Sequence, residues 1–147
     1  MSEQPNPPIE TPVPGLEVER RYNGRMLIFT FKSHLTAQML DTWMAMLKAY
    51  LETHQTTDRF MVYDVSQTQF LIFTSLANQR LKEVAAAYPD ATGRVAAIVP
   101  RIGVLQPIGE FFVQHNNNRL QPNLEIRLFN DREEGINWVA EAIQGEA

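Results

Sequence analysis

No cysteine occurs in the 147 residues, so disulfides, zinc–thiolate centres and thiol catalysis are excluded. A chain without disulfides suits a reducing compartment. Long apolar runs are missing as well. Runs such as Phe70-Leu-Ile-Phe73 and Val95-Ala-Ala-Ile-Val99 are far short of the ~20 residues that a membrane-spanning helix needs. Met1-Ser-Glu-Gln-Pro5 has neither the cationic start nor the apolar centre of a secretory signal, so a cytoplasmic location is expected. Basic excess is absent too. Thirteen Lys and Arg stand against 17 Asp and Glu, for a net charge of −4, and the only adjacent basic pair is Arg20-Arg21. Nucleic acid, which rewards a basic stripe that releases counterions, is not an expected partner.

Histidine is scarce. His34, His54 and His115 are the three present, none with the i, i+4 spacing of a helical metal pair, and no metal is expected. Neither Gly103 nor Gly109 precedes the Lys-Ser/Thr of a phosphate loop, no Gly-x-Ser-x-Gly elbow exists, and no dinucleotide fingerprint follows a strand. No cofactor is implied. With no activated nucleophile, acid/base pair or metal set in view, the chain does not read as an enzyme.

What is present is an ordinary globular composition, 44% hydrophobic and 20% charged. Residues 1–14 hold five of the nine prolines and few apolar side chains, which predicts a disordered, proline-rich tail. Residues 15–147 are of single-domain size. Leu16, Val18 and Tyr22 alternate with charged residues, Asn23-Gly24 is a strong turn signal, and Arg25–Lys32 continues as a second strand, so the domain opens on a hairpin. A helix follows over about 36–54, capped by Thr36, with Leu40, Trp43, Leu47 and Leu51 in one stripe. Strands at 60–65, 94–99 and 124–129 alternate with helices at about 75–88, 104–117 and 130–143, the last opening on Asn130 and Glu133. The order β-β-α-β-α-β-α-β-α predicts an α/β fold with a mixed, mostly parallel five-stranded sheet and an antiparallel first edge.

The passage Asp64-Val-Ser-Gln-Thr-Gln-Phe-Leu-Ile-Phe-Thr-Ser-Leu76 leads from a strand's carboxyl end into a helix, where open α/β sheets place their working sites. Asp64 with Ser66 reads as a local turn, or as a base or ligand. Thr74 or Ser75 caps the helix, or accepts phosphate beside the helix dipole. Phe70 and Phe73 are too apolar for a loop that meets only water. On the flanking helices, Met39, Met44 and Met46 exceed what one helical face buries, and Phe111 and Phe112 belong to an apolar surface that wraps more than half of the third helix. Either the core is thick, or Met39, Met46, Phe111 and Phe112 line a surface for a protein partner, a homodimer contact or an apolar ligand.

On these residues the chain resembles the STAS domain family, the fold of anti-sigma-factor antagonists, and its STAS-like cousins related to Sec14-type lipid-binding domains. The order of elements matches over about 16–144. The antagonists' run, roughly Asp-Leu-Ser-Gly-Val-Thr-Phe-Ile-Asp-Ser-Ser-Gly-Leu, matches Asp64, Ser66, Phe70 and Leu76. Its phosphorylated serine falls on Thr74, while its aspartate, first serine and glycine become Ile72, Phe73 and Ser75. Phe129-Asn-Asp-Arg-Glu-Glu-Gly-Ile-Asn-Trp138 is similar to the closing strand and helix of the cousins. The resemblance implies a STAS-like, SpoIIAA-like fold. It also implies a non-enzymatic regulatory module that docks a protein near residues 66–75 and the second helix, with Sec14-like binding of a lipid or other apolar ligand as the alternative.

Overall fold

Strand pairing begins earlier in the chain than its proline content predicts. The computed structural model describes residues 9–33, 36–54, 58–67, 75–99 and 123–145. Its first element, β1 (Ile9–Val13), pairs antiparallel with β2 (Leu16–Arg21). Residues 9–13 are therefore a strand and not part of a disordered tail, and the sheet has six strands where five are expected. The reason is physical. An edge strand draws its stability from backbone pairing and needs little burial of its own; only Val13 of β1 is buried. Pro12 is tolerated because an edge strand has an outward side that needs no donor, and the register shifts between Glu10 and Val13.

β2 and β3 (Met26–Phe31) form the expected antiparallel hairpin, in register from Leu16↔Phe31 to Arg21↔Met26. Its connection is four residues long. Tyr22, Asn23 and Gly24 have φ of 55°, 58° and 83°, a left-handed run for which Asn and Gly are suited. Helix α1 (Ala37–His54) starts as Thr36 implies: its hydroxyl accepts the Met39 N–H at 3.1 Å. Then come β4 (Asp58–Asp64), α2 (Ser75–Ala87), β5 (Thr92–Ile98), β6 (Leu124–Phe129) and α3 (Arg132–Gly145). The helix expected at 104–117 lies outside the described residues.

The strand order is β1-β2-β3-β4-β5-β6, with the β3–β4, β4–β5 and β5–β6 pairings parallel. Side chains alternate between two cores. On one face Leu27, Phe29, Phe31, Met61, Tyr63 and Val95 pack against α1 and against Val84 of α2. Trp43 sits among Phe31 and Tyr63 with ring centroids 5.0 and 5.3 Å away. On the other face Met26, Ile28, Phe60, Val62, Ala96 and Ile98 meet Ile136, Val139, Ala140 and Ile143 of α3. Gly135 lets α3 approach closely, since a β-carbon there would fall on Ile98. The start of α3 departs from expectation: Asp131, not Asn130, is its cap, accepting the Glu134 N–H at 3.0 Å, while the Asn130 amide donates to the Val99 carbonyl.

Tyr50 fastens α1 to the sheet's other end. Its hydroxyl donates to the Arg25 carbonyl at 2.5 Å and accepts the Phe60 N–H at 3.3 Å. Burial pushes this phenol up from 10.0 to about 12, helped by Asp58 and opposed by the Phe60 hydrogen bond and the Arg25 and Arg59 charges. The folded state thus keeps a proton that the unfolded chain releases near pH 10. Stability contributed by the neutral phenol is complete below about pH 10 and lost as pH rises towards about 12, at most roughly 2–3 kcal/mol. Urea denaturation on both sides of about pH 10 should show Tyr50→Phe with a shallower alkaline decline than the parent; equal slopes would contradict this.

Candidate functional site

The carboxyl ends of the parallel strands form one rim. Val65 N–H continues the ladder to the Ile98 carbonyl at 2.9 Å, and Val99 N–H to the Phe129 carbonyl at 2.8 Å. Ser66 and Gln67 turn away from this rim, the first half-buried and the second exposed. α2 begins at Ser75, so the passage leaves a parallel strand end and returns at a helix start. Residues 68–74, including Phe70, Phe73 and Thr74, lie outside the described residues, as do Phe111 and Phe112. For Ser75 only the backbone placement at the start of α2 is described.

Asp64 does not point at α2. Strand alternation and the register Thr30↔Asp64↔Ile98 put it on the α3 face. One carboxylate oxygen accepts both the Ser66 N–H at 3.0 Å and the Ser66 hydroxyl at 2.6 Å, the local turn that the i, i+2 spacing implies. The other accepts from Arg132 at 2.8 Å. Arg132 also donates to the Thr30 hydroxyl at 3.0 Å and lies 3.7 Å from Glu19, whose second oxygen takes the Arg21 Nε–H at 2.5 Å. Asp64, Thr30 and Glu19 are only 3%, 6% and 7% exposed. Such groups are costly to bury without partners, and two acids here meet two guanidinium groups, so the cluster is neutral overall.

Sequence reasoning located Asp64 and Ser66 but not Glu19, Thr30, Arg21 or Arg132. Glu19 and Arg21 read as the wet side of a half-buried strand. A signal for Arg132 was available: a cation in a helix's first turn opposes the helix dipole, so its place there calls for a specific acidic partner. Met39 is fully buried and Met44 is 1% exposed, while Met46 packs half-buried against the same core. The expectation that α1 carries more methionine than it can bury is corrected. β1 and β2 extend the sheet beneath the helix, and Met39 offers no surface to a partner.

Chemically, the cluster is committed. Both oxygens of Asp64 are occupied, and a cation would have to displace Arg132. Among the described residues no three His, Cys, Asp or Glu side chains gather as metal ligands, and no helix is long and apolar enough to cross a membrane. The strand order never reverses, so β3, β4 and β5 have no switch point at which a crevice would open. His34 lies outside the described residues.

The chain matches no protein-family model, and no curated protein matches it. Among solved structures it is similar to an uncharacterized protein of the DUF3478 family with a SpoIIAA-like fold, from Shewanella loihica PV-4. The TM-score is 0.57 at 15% identity, over 95% of this chain and 98% of that one. The likeness establishes the fold alone: the chain has a SpoIIAA-like, STAS-like α/β fold.

A double-mutant cycle tests the cluster. Arg132→Ala takes the cationic partner from buried Asp64 and leaves Glu19 with Arg21 alone, and should destabilise the chain by about 1–3 kcal/mol. Combined with Asp64→Asn, the loss should be smaller than the sum of the two single losses, with a coupling of about 1 kcal/mol or more. Additive losses in denaturant titrations would mean that the pair is incidental.

Proposed function

We propose that the chain is a non-enzymatic STAS-like regulatory module that docks a protein partner at residues 66–75 and the exposed side of α2. The observation that carries this reading is the engagement of Asp64. A carboxylate bound by Ser66 on one oxygen and Arg132 on the other serves as an anchor for the turn, not as a base or metal ligand. It fixes the point from which the loop departs. α2 presents Gln79, Lys82, Glu83 and Ala86 to solvent, a polar side free to meet a partner. The sequential order of the described strands, with no switch point among them, favours a flat contact over a small-molecule cleft. In the loop, Phe73 supplies the apolar anchor that such contacts concentrate on, and Thr74 or Ser75 is the candidate phosphoacceptor that would regulate docking through charge at the helix start.

Photo-crosslinkers placed at Gln67 and at Lys82 should capture one and the same polypeptide in the native cell, while a probe at Glu141 on the opposite face should not. Phe73→Asp should abolish capture and leave the melting temperature within a few degrees. Equal capture from Glu141, or capture indifferent to Phe73, would overturn the docking reading. In the same preparations, mass spectrometry should find phosphate on Thr74 or Ser75 in some growth state; none in any state would remove the switch.

A second reading is favoured by one observation. Among the described residues the indole N–H of Trp43 is buried in the α1 core with no hydrogen-bond partner, an uncommon and costly arrangement. A Sec14-like apolar ligand that carries an acceptor oxygen would satisfy it. Native mass spectrometry of the purified chain decides: a bound lipid-sized mass lost in Trp43→Phe supports this reading, and an adduct-free spectrum ends it.

A further inference from the structure

The two edges of the sheet are built differently. β1 carries Pro12, an irregular register and four exposed residues out of five, devices that blunt an edge against further pairing. β6, Leu-Glu-Ile-Arg-Leu-Phe, has neither proline nor glycine, and its register with β5 is unbroken from Gly93↔Leu124 to Ile98↔Phe129. Among the described residues nothing pairs with its outer side. We propose that this edge joins a second copy of the chain, β6 to β6, antiparallel about a two-fold axis through Ile126.

The pattern of charge selects both the occupant and the register. Residues opposite each other in an antiparallel pair lie on the same face, so a dyad perpendicular to the sheet must pass through a residue. Through Ile126 it sets Glu125 opposite the second copy's Arg127, and Arg127 opposite the second copy's Glu125. Leu124 then meets Leu128, and Ile126 meets itself. Opposite charges directly across a strand pair stabilise it and like charges destabilise it. A dyad through the residue before or after puts Glu125 opposite Glu125, or Arg127 opposite Arg127. The strand is self-complementary in one register only.

The charged pair is also held at the edge by its own chain. Arg127 stacks over the Trp138 ring at 5.0 Å, and Arg94 lies over the same ring at 4.7 Å while pairing with Glu125 at 3.4 Å. Side chains already positioned lose less freedom on association. This edge is remote from residues 66–75 in the chain, and the inference stands independently of the docking reading.

Sedimentation velocity on the full chain tests it. The parent should be a dimer. Glu125→Arg, and separately Arg127→Glu, should each weaken association by about tenfold or more through two like-charge contacts per dimer. The swap Glu125→Arg with Arg127→Glu restores opposite charges across the dyad and should recover the dimer, with circular dichroism confirming that each variant folds. A monomeric parent, a dimer indifferent to the single reversals, or a folded double variant that stays monomeric would each overturn the proposal.

Discussion

The ion pair between Asp64 and Arg132 ties the start of α3 to the carboxyl end of β4. Arg132 opens the last helix, Asp64 closes β4, and Thr30 and Glu19 lie on the two strands beyond it. Each of these polar groups sits on a face otherwise built from Met26, Ile28, Val62 and Ile98. Buried charge is tolerated only when neutralised and hydrogen-bonded, so the start of α3 has one place where it can seat. One turn along, Gly135 lets the helix lie close against Ile98. On the far side of Asp64 the same carboxylate shapes the turn at Ser66. One residue thus couples the docking of a helix to the turn that follows β4.

The rest of the architecture distributes apolar burial around this polar seam. The α1 face is aromatic at its centre, with Trp43 against Phe31 and Tyr63, and methionines filling the irregular space between helix and strands. Methionine suits such gaps because it is unbranched and adaptable. The α3 face is smaller and tighter, with Ala96, Ala140 and Gly135 allowing close contact. At its outer margin Trp138 takes Arg94 and Arg127 against its ring. Cations over an indole are stabilised by its quadrupole, and here they also carry charge to the sheet's edge.

Much of this was legible in the sequence. Period-2 alternation located β2 and β6, the Asn23-Gly24 pair followed by an apolar run marked the hairpin and β3, and the order of elements implied the parallel sheet. β1 was not legible, because an edge strand stabilised by backbone pairing leaves no hydrophobic pattern, and its prolines point the other way. The Asn130 cap was misplaced by one residue because Asn and Asp stand side by side there, and only Asp131 reaches the Glu134 N–H. At the candidate site, Asp64 and Ser66 were readable because their contact is local. Glu19, Thr30 and Arg132 were not, since Thr30 and Arg132 meet across 102 positions of sequence. Pairings of that kind follow from topology, and no short-range pattern encodes them.

Amide hydrogen exchange at Ser66, compared between the parent and Arg132→Gln, is the most direct measurement of the coupling. If Arg132 holds Asp64 and Asp64 holds the turn, the Ser66 amide should exchange markedly faster in the variant while amides within β3 and β4 keep their protection. Unchanged exchange at Ser66, or a uniform loss of protection across the whole sheet, would contradict the account.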